Sequence, residues 1–538
     1  MSNAGSIRAT QRAPKSCLPC STRKVKCDKA FPCSTCVRRG EPEACIRETV
    51  MVRGTIRTIE PAEQDTARPR PRRRPENDDP LEDALWEDFA STSLTRSTVL
   101  QWDDIMPPSR RTSERLVEYD RVWNSWVHFA LEYPQFEQEC NDYILALEDG
   151  VSLESLDAAW MAVYFSVLCA ALLMMDDKEA EQLLRSEQIA SSVMVVSRMW
   201  YDAAIFCLER AEFMRTPSIC TVQAVAVLSM CFNLFGDAEL GHHMRSSAIR
   251  VARRIGLHTS TTRTANQQMS VASRNRLWWT LVICEWFVLG TLEEVCANLG
   301  QRLNVQYDTP LIEEADFDLP LPAPTTPQSD DSDIDPVQYH AFMARTARVY
   351  HRFFQSVARG SISVPDAVRV ADEELALLID TLPAYLQPGA AHNASDDCET
   401  CQTYPWLKWQ RFDVTLVLLH HRIRINRTLQ RQWLSAPDEF RWARSISVKS
   451  ALDIIWISRN WDQPISQRKQ WALSFHLFVA SILLLREWRS CSAGQGQEYR
   501  EAIENAILML DDVKTHSAVA RHAIEILRRE LDSSGHHA

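Results

Sequence analysis

Six cysteines fall within thirty residues near the start of the chain, at Cys17, Cys20, Cys27, Cys33, Cys36 and Cys45. Their spacing is C-x2-C-x6-C-x5-C-x2-C-x8-C, and the apolar residues between them amount to little more than Leu18, Val25, Phe31 and Val37. So few apolar side chains cannot offset the chain entropy of even a thirty-residue fold, so something besides a core must hold it. Thiolate-bound zinc contributes on the order of 10 kcal/mol of folding free energy at a structural site, and each CxxC presents two ligands at a suitable bite. Two tetrahedral ions need more ligand positions than six thiolates offer, so two Zn2+ ions require two shared sulfurs. The competing arrangements are three disulfides, or one four-cysteine zinc with two spare thiols.

The compartment bears on that choice. The opening "MSNAGSIRATQRAPKS" lacks the apolar run of a secretory signal, which predicts reduced thiols. Charge separates along the chain in a related way. Residues 1–75 carry 17 Lys or Arg against 7 Asp or Glu, whereas the whole chain has a net charge of −12. A basic head on an acidic body predicts that the head meets a polyanion.

The cysteine stretch resembles the binuclear zinc cluster of fungal transcription factors. The likeness rests on all six cysteines, "RKVKC" ending at Cys27, Asp28, Pro32 and the "RRG" that follows the second pair. The resemblance implies two Zn2+ ions bridged by Cys17 and Cys33, with Cys20 and Cys27 completing one site and Cys36 and Cys45 the other. It implies a short helix after each bridging cysteine, with Lys24 on the outer face of the first and reaching base edges in the major groove of double-stranded DNA. Arg23, Lys26 and Lys29 would then grip phosphates. The family often has Arg after its second cysteine, where this chain has Ser21.

The connector changes character twice. "VMVRGTIRTIEPAEQ" alternates like a short extended strand, and no dimerising heptads follow the cluster. Next, "ARPRPRRRPENDDP" brings Arg68, Arg70, Arg72, Arg73 and Arg74 between prolines, a composition read as an unstructured nuclear-import signal, with a nonspecific arm along DNA or a solvated linker as the alternatives. "ENDDPLEDALWEDFA" then places Leu81, Leu85, Trp86 and Phe89 on one face of a short acidic helix, read either as an activation segment or as a surface helix capping the large domain.

Beyond Tyr119, apolar residues recur at helical spacing. "TPSICTVQAVAVLSMCFNLFG" predicts a helix capped by Thr216, with Pro217 first in it and Gly236 just past its end. Ala158–Met175 is apolar enough to be weighed as a membrane span, but its acidic flanks favour a buried helix. "AIRVARRIGLH" at 248–258, "RNRLWW" at 274–279 and "LLIDTLPAYL" at 377–386 resemble the fungal-specific transcription factor domain, which implies an all-helical regulatory region. That family commonly has Asp soon after the paired aromatics; Glu285 is the nearest acid here.

Catalytic signals in the body are weak. Cys398 and Cys401 lack a partner pair, His242–His243 and His420–His421 sit about 100° apart on helices and do not converge, and Trp278 and Trp279 read as core.

The expected organisation is a disordered start at 1–12, a small binuclear zinc-cluster DNA-binding module at 13–48, and a mostly disordered linker at 49–114. A large all-α helical regulatory domain at 115–530 and a tail at 531–538 complete it. The expected protein is a nuclear, zinc-dependent, sequence-specific transcription factor and not an enzyme. The resemblance implies CGG-containing sites, action as an activator on the RNA polymerase II machinery, and a metabolic or secondary-metabolite gene cluster as target. A homodimer, a small-molecule effector bound by the body, and a repressor with the same head are the alternatives carried forward; no membrane is expected as partner.

Overall fold

The computed structural model describes residues 9–10, 17–28, 33–41, 45, 50–52, 55–57, 97–259, 269–288, 334–360, 362–388, 403–436, 438–461, 463, 465–491 and 496–534. The chain divides into two compact units, Met1–Asn77 and Asp78–Ala538.

In the first unit, β1 (Ala9–Thr10), α1 (Leu18–Thr22), α2 (Ser34–Arg38), β2 (Val50–Val52) and β3 (Thr55–Arg57) follow in order. β2 pairs parallel with β1, Ala9 opposite Met51, and antiparallel with β3, Met51 opposite Ile56. The extended character expected of the stretch from Val50 appears as β2 and β3, while the expectation of a disordered start leaves out β1, which joins them in a three-stranded sheet. The core of this unit is sulfur: five buried cysteines, with Val25 and Cys27 packed against them. Val37 stays half exposed.

In the second unit the described residues form helices and turns and no strand. Its longer helices are α3 (Arg110–Tyr119), α4 (Tyr133–Glu148), α5 (Ala158–Met174), α6 (Asp177–Ser186), α7 (Val193–Arg210), α8 (Ile219–Leu228), α9 (Ala238–Arg254) and α10 (Val271–Val288). They are followed by α11 (Pro336–Arg359), α12 (Val364–Asp380), α13 (Leu407–Asn426), α14 (Arg441–Asn460), α15 (Trp471–Ser490), α16 (Gln497–Asp511) and α17 (Ala518–Ser534). α5 is apolar all round because it is surrounded: every residue from Met161 to Met174 is buried, against α7 and α8 above all. Asp157 caps it by accepting from the Ala159 and Trp160 amides, so the acid that flanks the apolar run serves as a helix start. α15 is long and apolar enough to cross a membrane, yet 78% of its apolar window is buried within the protein.

One cap differs from expectation. α8 starts at Ile219 with Ser218 as N-cap, its Oγ accepting from the Cys220 amide at 3.2 Å. Thr216 instead donates its amide to the Glu212 carbonyl at 2.9 Å and closes the turn before. A break at Ser229–Cys231 then divides the expected helix, and Gly236 ends its second piece (Phe232–Phe235) with φ +82°. Trp278 and Trp279 are fully buried in α10, as core residues.

Candidate metal centre and nucleic-acid interface

The two CxxC segments fold alike. Cys17 and Cys33 each occupy the N-cap of a five-residue helix, and Arg23 and Arg39 each cap its end. The chain then reverses through a left-handed residue, Lys24 (φ +53°) or Gly40 (φ +71°). The Val25 amide bonds the Cys20 carbonyl at 3.0 Å, and the Glu41 amide bonds the Cys36 carbonyl at 3.1 Å. Sixteen residues thus separate two copies of one turn-forming unit, each of which holds its CxxC sulfurs on the inner side of a helix start.

These units bring the sulfurs together. Sγ–Sγ distances are 3.8 Å for Cys17–Cys33 and Cys17–Cys36, 3.6 Å for Cys20–Cys33 and 3.9 Å for Cys17–Cys27. The Cys33 amide donates to Cys45 Sγ at 3.2 Å, which ties the sixth sulfur to the group. A tetrahedral ion with Zn–S bonds of about 2.3 Å requires sulfurs about 3.8 Å apart. The observed spacing therefore fits zinc. It is far beyond the roughly 2.05 Å of a disulfide, and all six cysteines are free. The structure thus holds none of the three disulfides.

The electrostatics agree. Against the burial that raises it, the Cys36 amide and neighbouring thiols draw Cys33 down to about 6, whereas burial and bonds to Cys17 and Cys33 push Cys20 up to about 12. Thiols this close cannot all ionise unaided, and a dication is the usual means by which they do.

Outside the sulfurs, Arg23, Lys24 and Lys26 are exposed. Arg23 Nη1 holds Glu41 Oε2 at 2.7 Å, linking the ends of the two helical units. Asp28 Oδ2 accepts the Ser34 amide at 3.0 Å, and Thr35 Oγ1 donates to the Lys26 carbonyl at 3.1 Å. Lys24 is not on the helix face where it is expected. α1 ends at Thr22, and Lys24 stands in the turn, because the chain must reverse there to bring Cys27 back to the sulfurs. Lys29, the arginines at 68, 70, 72, 73 and 74, the acidic segment at 81–89, the CxxC at 398–401 and most of the loop at 318–336 lie outside the described residues.

In the body, His420 and His421, expected not to converge, have a histidine neighbour on a second helix. His420 and His421 on α13 have ring centroids 5.7 Å apart, while the ring of His420 lies 4.4 Å from that of His476 of α15, tilted by 47°. Both helices are needed to see that pair, and no spacing within either one signals it.

Residues 15–49 match the family model of the fungal Zn(2)-Cys(6) binuclear cluster domain, and residues 120–290 match that of the fungal specific transcription factor domain. Among curated relatives, the chain is 22% identical over 303 residues to the transcription factor xilB of Penicillium rubens, covering 48% of this chain and 44% of that protein. It is 22% identical over 359 residues to the aurofusarin cluster transcription factor aurR2 of Gibberella zeae, covering 58% and 50%. It is 26% identical over 184 residues to the fusaric acid cluster transcription factor FUB12 of Fusarium oxysporum, covering 25% and 28%. The chain thus spans half or less of the length of these relatives. Among solved structures, the K. lactis CBF3 core shares the fold with a TM-score of 0.55 at 12% identity, over 84% of this chain and 89% of that one. The matching families and relatives are transcription factors, not enzymes. One chain thus carries matches to both domains, the fungal Zn(2)-Cys(6) binuclear cluster domain ahead of the fungal specific transcription factor domain, and is similar to fungal transcription factors.

Proposed function

We propose that the protein is a zinc-dependent, sequence-specific DNA-binding regulator of RNA polymerase II transcription that acts in the nucleus. The observation that carries this reading is a set of six free thiols, five of them at tetrahedral-edge spacing and the sixth bonded by the Cys33 amide, with the exposed cations Arg23, Lys24 and Lys26 beside them. Two Zn2+ ions are the proposed complement, with Cys17 and Cys33 shared, Cys20 and Cys27 on one ion, and Cys36 and Cys45 on the other. The central position of Cys17 and Cys33, each with thiol neighbours from both halves, supports that sharing. When bound, the metal supplies the cross-link that an apolar core would otherwise provide.

Two dications and six thiolates sum to a negative charge, so DNA approach depends on this chain's own cations. Lys24, thrust out by its left-handed turn, is the proposed reader of guanine O6 and N7 in CGG-like triplets. Arg23, Lys26 and Lys29 hold phosphates and set the register. Arg23 must leave Glu41 to do so, and an exposed ion pair of that kind is readily exchanged. Arg68, Arg70, Arg72, Arg73 and Arg74 are the proposed import signal. The relatives named as fusaric acid and aurofusarin cluster transcription factors support control of such a gene cluster, and activation is the proposed sign of that control.

Zinc content and DNA binding test this reading together. The reduced full chain should carry about two zinc per molecule and prefer a CGG duplex over a shuffled one. Absence of stoichiometric zinc, or equal affinity for both duplexes, would overturn it. Mapping the native protein on its genome tests the target, since occupied sites without a CGG-like element would refute the base preference.

A further inference from the structure

Inside the body, α8, α9, α10, α11, α13 and the start of α15 converge on a cavity of about 130 Å³. Its lining is mostly apolar, with three methionines, Met174, Met230 and Met343, beside Ile283, Phe475 and Trp471. An engineered apolar cavity of about 150 Å³ is large enough for benzene, which sets the size of guest this space takes.

Into this lining projects Arg245. It is only 2% exposed, and its Nε and Nη2 have no hydrogen-bond partner. Burial pulls its guanidinium below the usual value, and Cys284 and Glu285 oppose that only through space. A buried cation without a partner is expensive to keep. The helix nevertheless makes room for it. Gly241, one turn earlier on α9, has no Cβ, and an added one would lie 3.0 Å from Arg245 Nη1 and 2.8 Å from Phe232.

The other polar groups around the cavity refine the fit. His340 bonds Thr280 Oγ1 through Nε2 at 3.1 Å but leaves Nδ1 without a partner. Neither His476 nitrogen has a partner, and His420 Nδ1 has none. Burial holds His340 and His476 at about 3, so both stay neutral and offer single donors. Asp413 is already engaged by Tyr339 at 2.5 Å and gains no support from Arg245. It would repel a second negative charge on a guest.

We propose that this cavity binds a small monocarboxylate with a ring-sized or branched apolar body, the carboxylate held by Arg245 and the body held among the methionine and aromatic side chains. This inference is independent of what the zinc head binds.

The test is calorimetric titration and thermal melting of the zinc-loaded full chain with benzoate, cyclohexanecarboxylate and isovalerate, using benzamide and succinate as controls. At least one monocarboxylate should bind saturably with a Kd at or below about 1 mM and raise the melting temperature of the body. Benzamide and succinate should bind at least about tenfold more weakly. Arg245→Met should lose the carboxylate by at least about tenfold while melting at the same temperature or higher, because the unpartnered charge is gone. Ala226→Leu should fill the cavity and lose binding with Arg245 intact. No saturation by any of the three up to about 10 mM, equal binding of benzamide, or wild-type affinity in Arg245→Met would overturn the proposal. Should Arg245→Met fail to fold, wild-type affinity in Ala226→Leu places the ligand elsewhere and refutes it equally.

Discussion

Lys24 carries two conflicting demands. Its backbone occupies the left-handed region that Gly40 occupies in the equivalent turn, at a strain cost of roughly 1 kcal/mol for a residue with a Cβ. A lysine retained where glycine is easier points to a use for the side chain. Lys24→Gly should therefore leave zinc-dependent folding of the head intact or slightly firmer, while affinity for a CGG duplex falls by about tenfold or more. Affinity for a shuffled duplex should fall much less. Competition binding on both duplexes, beside a chelator titration of the same variant, separates the two effects. A parallel loss on both duplexes would reduce Lys24 to a phosphate contact. The conformation of this residue was not legible in the sequence, because a four-residue offset from Cys20 suggests a helix that the reversal toward Cys27 cuts short.

Among the elements, α15 shows how a nearly uniform apolar helix is fixed in one orientation. Glu487 is fully buried on it and accepts from Trp433 Nε1 at 2.8 Å, Arg444 Nε at 2.7 Å and Gln430 Nε2 at 3.4 Å. One carboxylate so ties α15 to α14 and to the short helix Gln430–Ser435. Arg444→Met removes the cation paired with that carboxylate and leaves it buried, so the body should lose about 3 kcal/mol, read as a lower urea midpoint with unchanged slope. Gly241→Ala tests a second element contact. Phe232 Cβ and Cγ would lie 2.8 Å from the new methyl, so α9 must shift, at a cost of about 1–3 kcal/mol. Helices such as α5 were legible because a run from Ala158 to Met175 can only be surrounded or membrane-borne, and Asp157 marks its start. The cavity was not, because Arg245, His340, Asp413 and His476 are brought together by packing of helices far apart in the sequence.

For the body as a whole, buried histidines set the response to acid. His340, His421 and His476 are each held at about 3, by burial first and by nearby arginines second, against a usual value of about 6.5. The folded body refuses protons that the unfolded chain accepts. Their neutral-state stability is complete above about pH 6.5 and is lost as pH falls from there toward 3, each group contributing up to roughly 1.4 kcal/mol per pH unit. Asp413, raised to about 6 by burial, runs the other way and offsets one of the three. The melting temperature of the body should thus drop steeply between about pH 6.5 and 5, before ordinary carboxylates titrate. A flat profile in a pH series of thermal melts would show these histidines to be hydrated or protonated.

The head answers to salt and metal instead, since its core is sulfur whereas the body has its own apolar core. A strong zinc chelator should abolish DNA binding and leave the helical signal of the body and its melting temperature unchanged. Salt then counts the contacts. With Arg23, Lys26 and Lys29 each on a phosphate, the logarithm of affinity should fall with the logarithm of salt at a slope of about −2.7 per head. If Arg23 stays on Glu41, the slope is about −1.8; if two heads bind together, either value doubles. Glu41→Gln releases Arg23 without altering a thiol, so it should steepen the shallower slope and leave the steeper one unchanged. The same titration on a single CGG triplet and on paired triplets therefore separates a lone head from a pair, and a slope near zero on both would remove the phosphate grip from the mechanism altogether.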